Sequence, residues 1–230
     1  MNSKDWSLFT NILSRFVTTC ESKSLSESVV LLRDYVNPYV QQNIPNTKIW
    51  EAGRCTTAAL TFFPAMTIET GAGSKIKFID SGMMSNNPSE QVEEEATRLW
   101  TSENPIQCML SIGCGHFGAN NLDQSTASAL DFLEDIIRLS TNCNAVAANF
   151  EQRAFDGRFP GDFYRLNVVY GGAKVKLAEQ DMYNDMESWV NGYIANFDTA
   201  RKLERLATHL VSILRGRTMI ATTGGSDSGQ

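Results

Sequence analysis

One aspartate in this chain stands where catalytic side chains are often found. The apolar segment Lys75–Ile79 predicts a short β-strand that leads directly into Asp80-Ser81-Gly82, whose composition is typical of a tight turn. A side chain at the end of a strand is held by a rigid scaffold, while the loop beyond it is open to a substrate. Asp80 is therefore a candidate catalytic residue. An aspartate in such a turn can also serve only to bond nearby backbone N–H groups.

The segment after this turn predicts a helix. Asn87 has the side chain of an N-cap, and Pro88 suits the first helical position because its missing N–H would have no partner there. The helix is expected to run to about Trp100, with an apolar face formed by Val92, Ala96 and Leu99. The run Glu93-Glu94-Glu95 is expected to form its solvent-exposed face.

Strands and helices are predicted to alternate along the rest of the chain. Buried strands are expected at 29–32 and 107–112, and a strand of alternating character at 163–168. Helices are expected at 5–20, 49–60, 126–154, 179–196 and 198–214. This alternation is typical of an α/β fold with a parallel or mixed sheet.

The composition argues against several classes of function. The chain has 230 residues, of which 42% are hydrophobic and 20% charged, as is typical of a folded protein with a buried core. A net charge of −6 without a Lys/Arg cluster argues against a nucleic-acid partner. With only two histidines, His116 and His209, a zinc site is not expected. The five cysteines have no CxxC spacing and are expected to be free thiols.

A location in the cytoplasm or at the membrane periphery is expected. The first residues contain no apolar signal segment, and no apolar run is long enough to span a bilayer. An apolar surface can bind a membrane without basic charge, so transient contact with a membrane surface is compatible with the composition.

A glycine-rich motif, Gly113 to Gly118, follows the predicted strand at 107–112. Its GxGxxG spacing is that of a dinucleotide-binding loop, which should open a helix at once. Residues 119–123 read instead as continuing loop, so dinucleotide binding is not favoured. His116 is interpreted as a loop residue, and Cys55 and Cys114 as ordinary thiols, because nothing in the sequence places a base beside either of them.

Three short motifs surround Asp80 in a characteristic order. Arg54-Cys55-Thr56-Thr57-Ala58-Ala59 lies upstream of Asp80-Ser81-Gly82, and Asn86-Asn87-Pro88 lies downstream. Together they resemble the C-terminal half of a patatin-like phospholipase domain. Less specific similarity, in Leu110–Gly115 and Phe163–Val168, extends the resemblance over most of residues 28–215.

The resemblance implies a fold and a reaction. The fold would be a three-layer α/β/α sandwich with a mainly parallel sheet, incomplete in this chain. The reaction would be hydrolysis of an acyl ester in a phospholipid or other acyl lipid by a Ser–Asp dyad, with no metal or organic cofactor. Asp80 would be the catalytic base, and Ser81 and Gly82 would form the motif turn, with serine where the family usually has glycine. Asn87 and Pro88 would support this turn.

The serine of the dyad is not found in these 230 residues. No serine stands in a Gly-x-Ser-x-Gly frame between a strand and a helix, and no glycine-rich oxyanion loop is present. Asp80 alone cannot carry out acyl transfer. Three hypotheses remain: the chain is a piece of a larger hydrolase domain; it is a non-catalytic relative that binds lipid or protein; or it is an unrelated α/β protein in which Asp80 is only a turn residue.

The expected domain organisation follows from the resemblance. Residues 1–118 would form the C-terminal half of the hydrolase domain, and residues 119–217 would form a helical part packed on the same domain. Residues 218–230, which are rich in glycine and serine at their end, are expected to form a disordered tail.

Overall fold

The computed structural model describes residues 14–23, 29–40, 47–60, 62–70, 73–100, 105–117, 143–170 and 181–223. In chain order its elements are β1 (Phe16–Glu21), β2 (Val29–Arg33), α1 (Ile49–Thr56), β3 (Met66–Glu69), β4 (Lys75–Asp80), α2 (Ser89–Leu99), β5 (Cys108–Ile112), β6 (His116–Phe117), α3 (Cys143–Phe155), β7 (Asp162–Leu166), β8 (Val169–Tyr170), α4 (Tyr183–Ala195) and α5 (Phe197–Thr223). Within these described ranges, no helix combines the length and the apolar character needed to cross a bilayer.

The chain divides into two compact units. Of the described residues, the first unit holds those up to Leu99 together with Cys143, and the second holds those from Trp100 to Phe117 and from Asn144 onward. The predicted domain boundaries at 118 and 217 stay predictions. Residues 224–230 of the predicted tail, and residues 126–142 of the helix predicted at 126–154, lie outside the described residues.

The first unit is built on a four-stranded antiparallel sheet with the strand order β2-β1-β4-β3. Strand β4 occupies an inner position, so its backbone is paired on both sides. The strands predicted at 29–32 and 75–79 are confirmed as β2 and β4.

The helix predicted at 5–20 is wrong over residues 16–20, which belong to strand β1; residues 1–13 lie outside the described residues. Three consecutive β-branched residues, Val17, Thr18 and Thr19, favour an extended backbone because branching at Cβ restricts χ1 in a helix. Pairing with both β2 and β4 then satisfies the strand's backbone groups from two sides. The helical spacing of apolar residues could not reveal these long-range partners.

Helix α1 covers one face of this sheet. The buried side chains between helix and sheet come from β2, α1, β3 and β4, and they are Leu32, Cys55, Ile68 and Phe78. Phe78 and Cys55 are almost completely buried, with 1% and 0% exposure, so they mark the centre of this core. Deleting a buried aromatic side chain of this kind typically costs about 3–5 kcal/mol.

The second unit contains the parallel strand pairs. β5 pairs with β7 and β6 pairs with β8, both in parallel register. Its core is aromatic: the ring of Phe150 from α3 stacks on Phe163 with 5.1 Å between centroids and meets the edge of Phe159 at 5.7 Å. Met109 of β5 completes the buried cluster.

The α/β class is thus confirmed, but the sheet differs from the expectation. The largest sheet among the described residues is antiparallel, and parallel pairing is confined to the two-stranded pairs of the second unit. The alternation of strands and helices predicted a parallel or mixed sheet, and the family resemblance implied a mainly parallel one, yet β3 and β4 are joined by a short connection. A short connection between neighbouring strands permits only antiparallel pairing.

A buried ion pair links β2 to α2. The guanidinium of Arg33 donates to both carboxylate oxygens of Glu95, with Nη2 to Oε1 at 2.7 Å. The hydroxyl of Tyr35 and the amide of Asn37 also donate to Glu95, at 2.7 Å and 3.0 Å. The two charged side chains are only 6% and 4% exposed. The expectation that Glu95 lies on a solvent-exposed face is therefore wrong.

Burial alone would raise the pKa of Glu95, because it disfavours the charged form. The hydrogen bonds from Arg33 and Tyr35 and the charge of Arg33 outweigh burial, and the pKa of Glu95 lies below its ordinary value. The carboxylate is therefore stabilised in its ionised form, and its four hydrogen bonds occupy both oxygens.

We expect Glu95→Gln to destabilise the protein strongly. The substitution leaves the Arg33 guanidinium buried without its counter-charge, which typically costs about 3–5 kcal/mol. Urea unfolding followed by circular dichroism measures the effect. Glu94→Gln is the matched control, because Glu94 makes only an exposed pair with Arg98 one turn away and such pairs contribute about 0.2–0.5 kcal/mol. Equal effects of the two substitutions would contradict a buried, stabilising role for Glu95.

The contribution of Glu95 should also depend on pH in one direction. Because its folded-state pKa is lowered, its stabilising effect is complete above the unfolded-state value of about 4.3 and is lost as the pH falls through the folded-state value. The difference in unfolding free energy between the native chain and Glu95→Gln should therefore shrink as the pH is lowered below about 4. Urea titrations between pH 3 and pH 7 test this, and a difference that stays constant would contradict it.

Candidate active site

Asp80 is the last residue of the inner strand β4. It lies directly opposite Thr19 of β1, whose hydroxyl donates to the backbone carbonyl of Ile79 at 2.6 Å. Thr19 has 0% exposure, so this side-chain hydrogen bond is shielded from water. The backbone that carries Asp80 is thus held by strand pairing and by a buried hydroxyl.

The upstream motif is brought against the same strand end. Strand β3 pairs with β4 only as far as Met66, which lies opposite Phe78. Past that point, the backbone N–H of Asp80 donates to the carbonyl of Ala58 at 3.0 Å. Ala58 is fully buried and follows helix α1. The segment after α1 therefore pairs with the end of β4, on the side where β3 has ended. The first two of the three sequence motifs thus meet at Asp80.

The Asp80-Ser81-Gly82 turn is closed by the aspartate itself. Oδ1 of Asp80 accepts a hydrogen bond from the backbone N–H of Gly82 at 2.6 Å. The carbonyl of Ser81 accepts from the N–H groups of Met84 and Ser85, both at 2.8 Å, which continues the turn. A Cβ at position 82 would meet Oδ1 at 2.6 Å, so any larger residue there would force the Asp80 carboxylate to shift.

The second carboxylate oxygen of Asp80 is differently placed. No hydrogen-bond donor reaches Oδ2 from the residues that the structure describes, and the side chain is half-buried. One oxygen is therefore fixed by the turn, while the other retains its lone pairs. This arrangement can accept a proton from a hydroxyl group that approaches the strand end.

Asn87 and Pro88 organise the start of α2. Asn87 is buried, and its Oδ1 accepts from the N–H and the hydroxyl of Ser89 at 3.3 Å and 2.7 Å, as expected of an N-cap. Its Nδ2 donates to the carbonyl of Cys143 at 3.1 Å. The carbonyl of Pro88 accepts from the N–H of Val92, which starts the helical hydrogen bonding. Both residues position the helix that follows the turn, and neither has a described contact with the Asp80 carboxylate.

The nearby thiols do not act as nucleophiles in this arrangement. Burial raises the pKa of Cys20, and the charge of Asp80 raises it further; its Sγ lies 3.4 Å from the sulfur of Met84. Burial raises the pKa of Cys55 to about 11. Since the thiolate is the reactive form, both groups are unreactive near neutral pH. None of the five cysteines, all of which the structure describes, forms a disulfide, and Cys114 is exposed.

The described part of the glycine motif, residues 113–117, leads into a short strand. Strand β6 begins at His116, and Gly118 lies outside the described residues. That this motif does not bind a dinucleotide stays a prediction.

Sequence reasoning missed two residues that hold this region together. The signal for Glu95 was partial: it lies directly before Ala96, and these two residues share the buried side of α2. Val92, which was predicted on the apolar face, is instead exposed. No local pattern marks Thr19, because its role depends on β4, which lies about sixty positions further along the chain.

The chain resembles part of a group of curated phospholipases. It is 30% identical over 124 residues to the calcium-independent phospholipase A2-gamma of Mus musculus, and 29% identical over 124 residues to the proteins of that name from Oryctolagus cuniculus and Homo sapiens. The match covers 53% of this chain but only 15% of the mouse protein and 14% of the other two. No protein-family model matches the chain. The similarity supports a distant link to the patatin-like phospholipases.

We expect Gly82→Ala to disturb the turn. The added methyl group would force the Asp80 carboxylate away and break its hydrogen bond to the residue 82 N–H, a loss of about 1–3 kcal/mol for a bond to a charged acceptor. Thermal unfolding measures the change in stability. In the Asp80→Ala background the same substitution should cost clearly less, because the obstructing oxygen is gone.

Gly53→Ala serves as the control for the glycine substitution. Gly53 lies inside α1, and a Cβ there meets nothing within 4 Å, so alanine should stabilise the helix by about 0.5–1 kcal/mol. If Gly82→Ala were as well tolerated as Gly53→Ala, the close contact with Oδ1 would not govern this turn.

Proposed function

We propose that this chain carries the aspartate half of a Ser–Asp acyl hydrolase that acts on a phospholipid or a related acyl lipid. The observation that carries the proposal is the state of the Asp80 carboxylate: one oxygen is fixed by the N–H of Gly82 and the other has no donor among the described residues. The distant similarity to the phospholipases supports the choice of substrate class.

The proposed reaction has two stages. In the first, Asp80 accepts the proton of a serine hydroxyl while the serine oxygen attacks the ester carbonyl. The tetrahedral intermediate collapses, the ester C–O bond breaks, and the leaving alcohol takes the proton from Asp80. In the second stage Asp80 accepts a proton from water while the water oxygen attacks the acyl-enzyme. The bond between the acyl carbon and the serine oxygen then breaks, the serine oxygen takes the proton from Asp80, and the fatty acid is released.

The nucleophile and the oxyanion donors would come from outside these 230 residues. The sequence contains no Gly-x-Ser-x-Gly, so the proposed reaction requires a further polypeptide segment that presents a serine to Asp80. Loss of a single oxyanion donor typically lowers the rate by about 10²–10³-fold, so little activity is expected without that segment.

In the complete domain, the proposed fold is the three-layer α/β/α sandwich of patatin-like hydrolases. The parallel β5–β7 pair and the helix on the β1–β4 sheet are compatible with parts of such a sandwich. Residues 1–118 would supply the end of the hydrolase core, and residues 119–217 the helical part.

The absence of the serine motif also favours a second candidate function. A patatin-related chain without a nucleophile could bind an acyl lipid or a protein partner without hydrolysing it. In that function Asp80 would act only through its bond to Gly82, as a turn residue.

The test of the first function is Asp80→Asn in the protein translated from the complete native transcript. Loss of a general base should lower the rate of acyl-ester hydrolysis by about 10²–10⁴-fold. The asparagine carbonyl can still accept from the Gly82 N–H, so the melting temperature should change little. The rate is measured with a phospholipid and with a soluble acyl ester.

The control and the alternatives give separate outcomes. Asp185→Asn removes an exposed carboxylate from the first turn of α4 and should leave hydrolysis unchanged. Full activity of Asp80→Asn would refute the role of Asp80 as the base. Lipid binding without measurable hydrolysis by the native protein would support the non-catalytic function instead.

A further inference from the structure

A cavity of about 350 Å³ lies within the second unit, near the carboxyl end of β7. Arg165 comes from β7, Asn167 follows that strand, Tyr193 comes from α4 and Lys202 from α5. The carboxyl ends of parallel strands are the positions where open α/β sheets most often bind ligands. The cavity has no part in the proposed action of Asp80.

Arg165 carries an unsatisfied donor at this cavity. Its Nη1 donates to the hydroxyl of Ser111 at 2.8 Å, but its Nε is buried and has no hydrogen-bond acceptor among the described residues. Within the described part of the chain, Arg165 also makes no ion pair. A buried charged group without a counter-charge is unfavourable, and an anion in the cavity that Arg165 lines would supply that counter-charge.

Lys202 places a second cation beside Arg165. Its ammonium group donates to the backbone carbonyl of Arg165 at 3.3 Å. An ammonium group has three donors, so two remain for a ligand after this contact. Two cations from different elements suit a phosphate group, whose oxygens point in several directions, better than a planar carboxylate.

The surroundings of Arg165 are held in place by the loop after β5. The N–H of Gly115 donates to Oδ1 of Asn167 at 2.9 Å, and the N–H of Asn167 donates to the hydroxyl of Tyr193 at 3.2 Å. A Cβ on Gly113 would meet Nη2 of Arg165 at 2.5 Å and Oδ1 of Asn167 at 2.2 Å. This close backbone approach fixes the guanidinium before any ligand arrives, which lowers the cost of binding.

Two carboxylates line the same cavity at its exposed side. Glu151 and Asp198 are exposed, whereas Arg165 and Lys202 are half-buried. The carboxylates therefore belong to the more solvent-exposed residues of the lining, and the cations to the less exposed ones. A simple anion would be attracted by Arg165 and Lys202 and repelled by Glu151 and Asp198. A zwitterion could place its negative group against the two cations and its ammonium group against the two carboxylates.

We propose that this cavity binds a small zwitterionic phosphate ester, with the phosphate against Arg165 and Lys202 and the ammonium group towards Glu151 and Asp198. A free phosphoester and the head group of a phospholipid share this chemistry. The proposal depends on the second unit alone, so it holds or fails independently of hydrolysis at Asp80.

Calorimetric titration of the 230-residue chain with phosphoethanolamine tests the proposal. Saturable binding is expected, and Lys202→Gln should weaken it by about tenfold or more, the effect of removing a hydrogen bond to a charged group. Arg201→Gln, at an adjacent exposed position where the guanidinium lies over the ring of Phe197, should change the affinity less than about twofold because exposed charges are screened by salt. Unchanged melting temperatures show that the variants are folded.

A second variant separates a zwitterion from a simple anion. Glu151→Gln should weaken phosphoethanolamine binding by up to about fivefold and should strengthen the binding of inorganic phosphate, because an exposed charge contributes about 0.2–1 kcal/mol. Glu187→Gln, on the exposed surface of α4 and outside the cavity lining, is its matched control.

Flotation with phosphatidylethanolamine vesicles that depends on Lys202 would identify the lipid head group as the source, and binding of the soluble probe alone would identify a free phosphoester. Absence of saturable binding to either probe, or phosphate binding as tight as that of phosphoethanolamine, would overturn the proposal.

Discussion

The buried pair of Arg33 and Glu95 is the interaction on which the candidate active site depends. Arg33 belongs to β2, and Glu95 belongs to the helix that follows the Asp80 turn. The turn is therefore fixed at both ends: β4 holds its beginning within the sheet, and the ion pair holds the helix at its end against β2. Removing two charges from water is unfavourable, and here four hydrogen bonds to one carboxylate offset that cost.

Local chemistry could be predicted from the sequence more accurately than long-range pairing. The strand that ends at Asp80, the cap formed by Asn87 and the helix that starts beyond it were all predicted from neighbouring residues, and the structure confirms them. Each depends on interactions within a few positions of the chain. The strand at Phe16–Glu21 was mistaken for a helix because its apolar spacing suits both, and only β2 and β4 decide between them.

The antiparallel pairing of the first sheet could not be predicted either, because it also depends on partners that are distant in the sequence. Alternating strands and helices favour parallel pairing, but the direct connection from β3 to β4 and the position of β1 between β2 and β4 make the first sheet antiparallel. For the candidate site, the sequence predicted the position of Asp80 and of its turn. It did not predict that the carbonyl of Ala58 would close the edge of β4, because that contact requires the fold of the segment after α1.

The pairing of β4 on both sides has a consequence for how this region moves. A backbone N–H in an outer loop is released by small local fluctuations, whereas the N–H of Asp80 is released only when the buried segment at Ala58 separates from the end of β4. Such openings require a large part of the free energy of the whole sheet. The carboxylate is thus carried by one of the least deformable parts of the unit, and any adjustment to a ligand must come from groups that approach it.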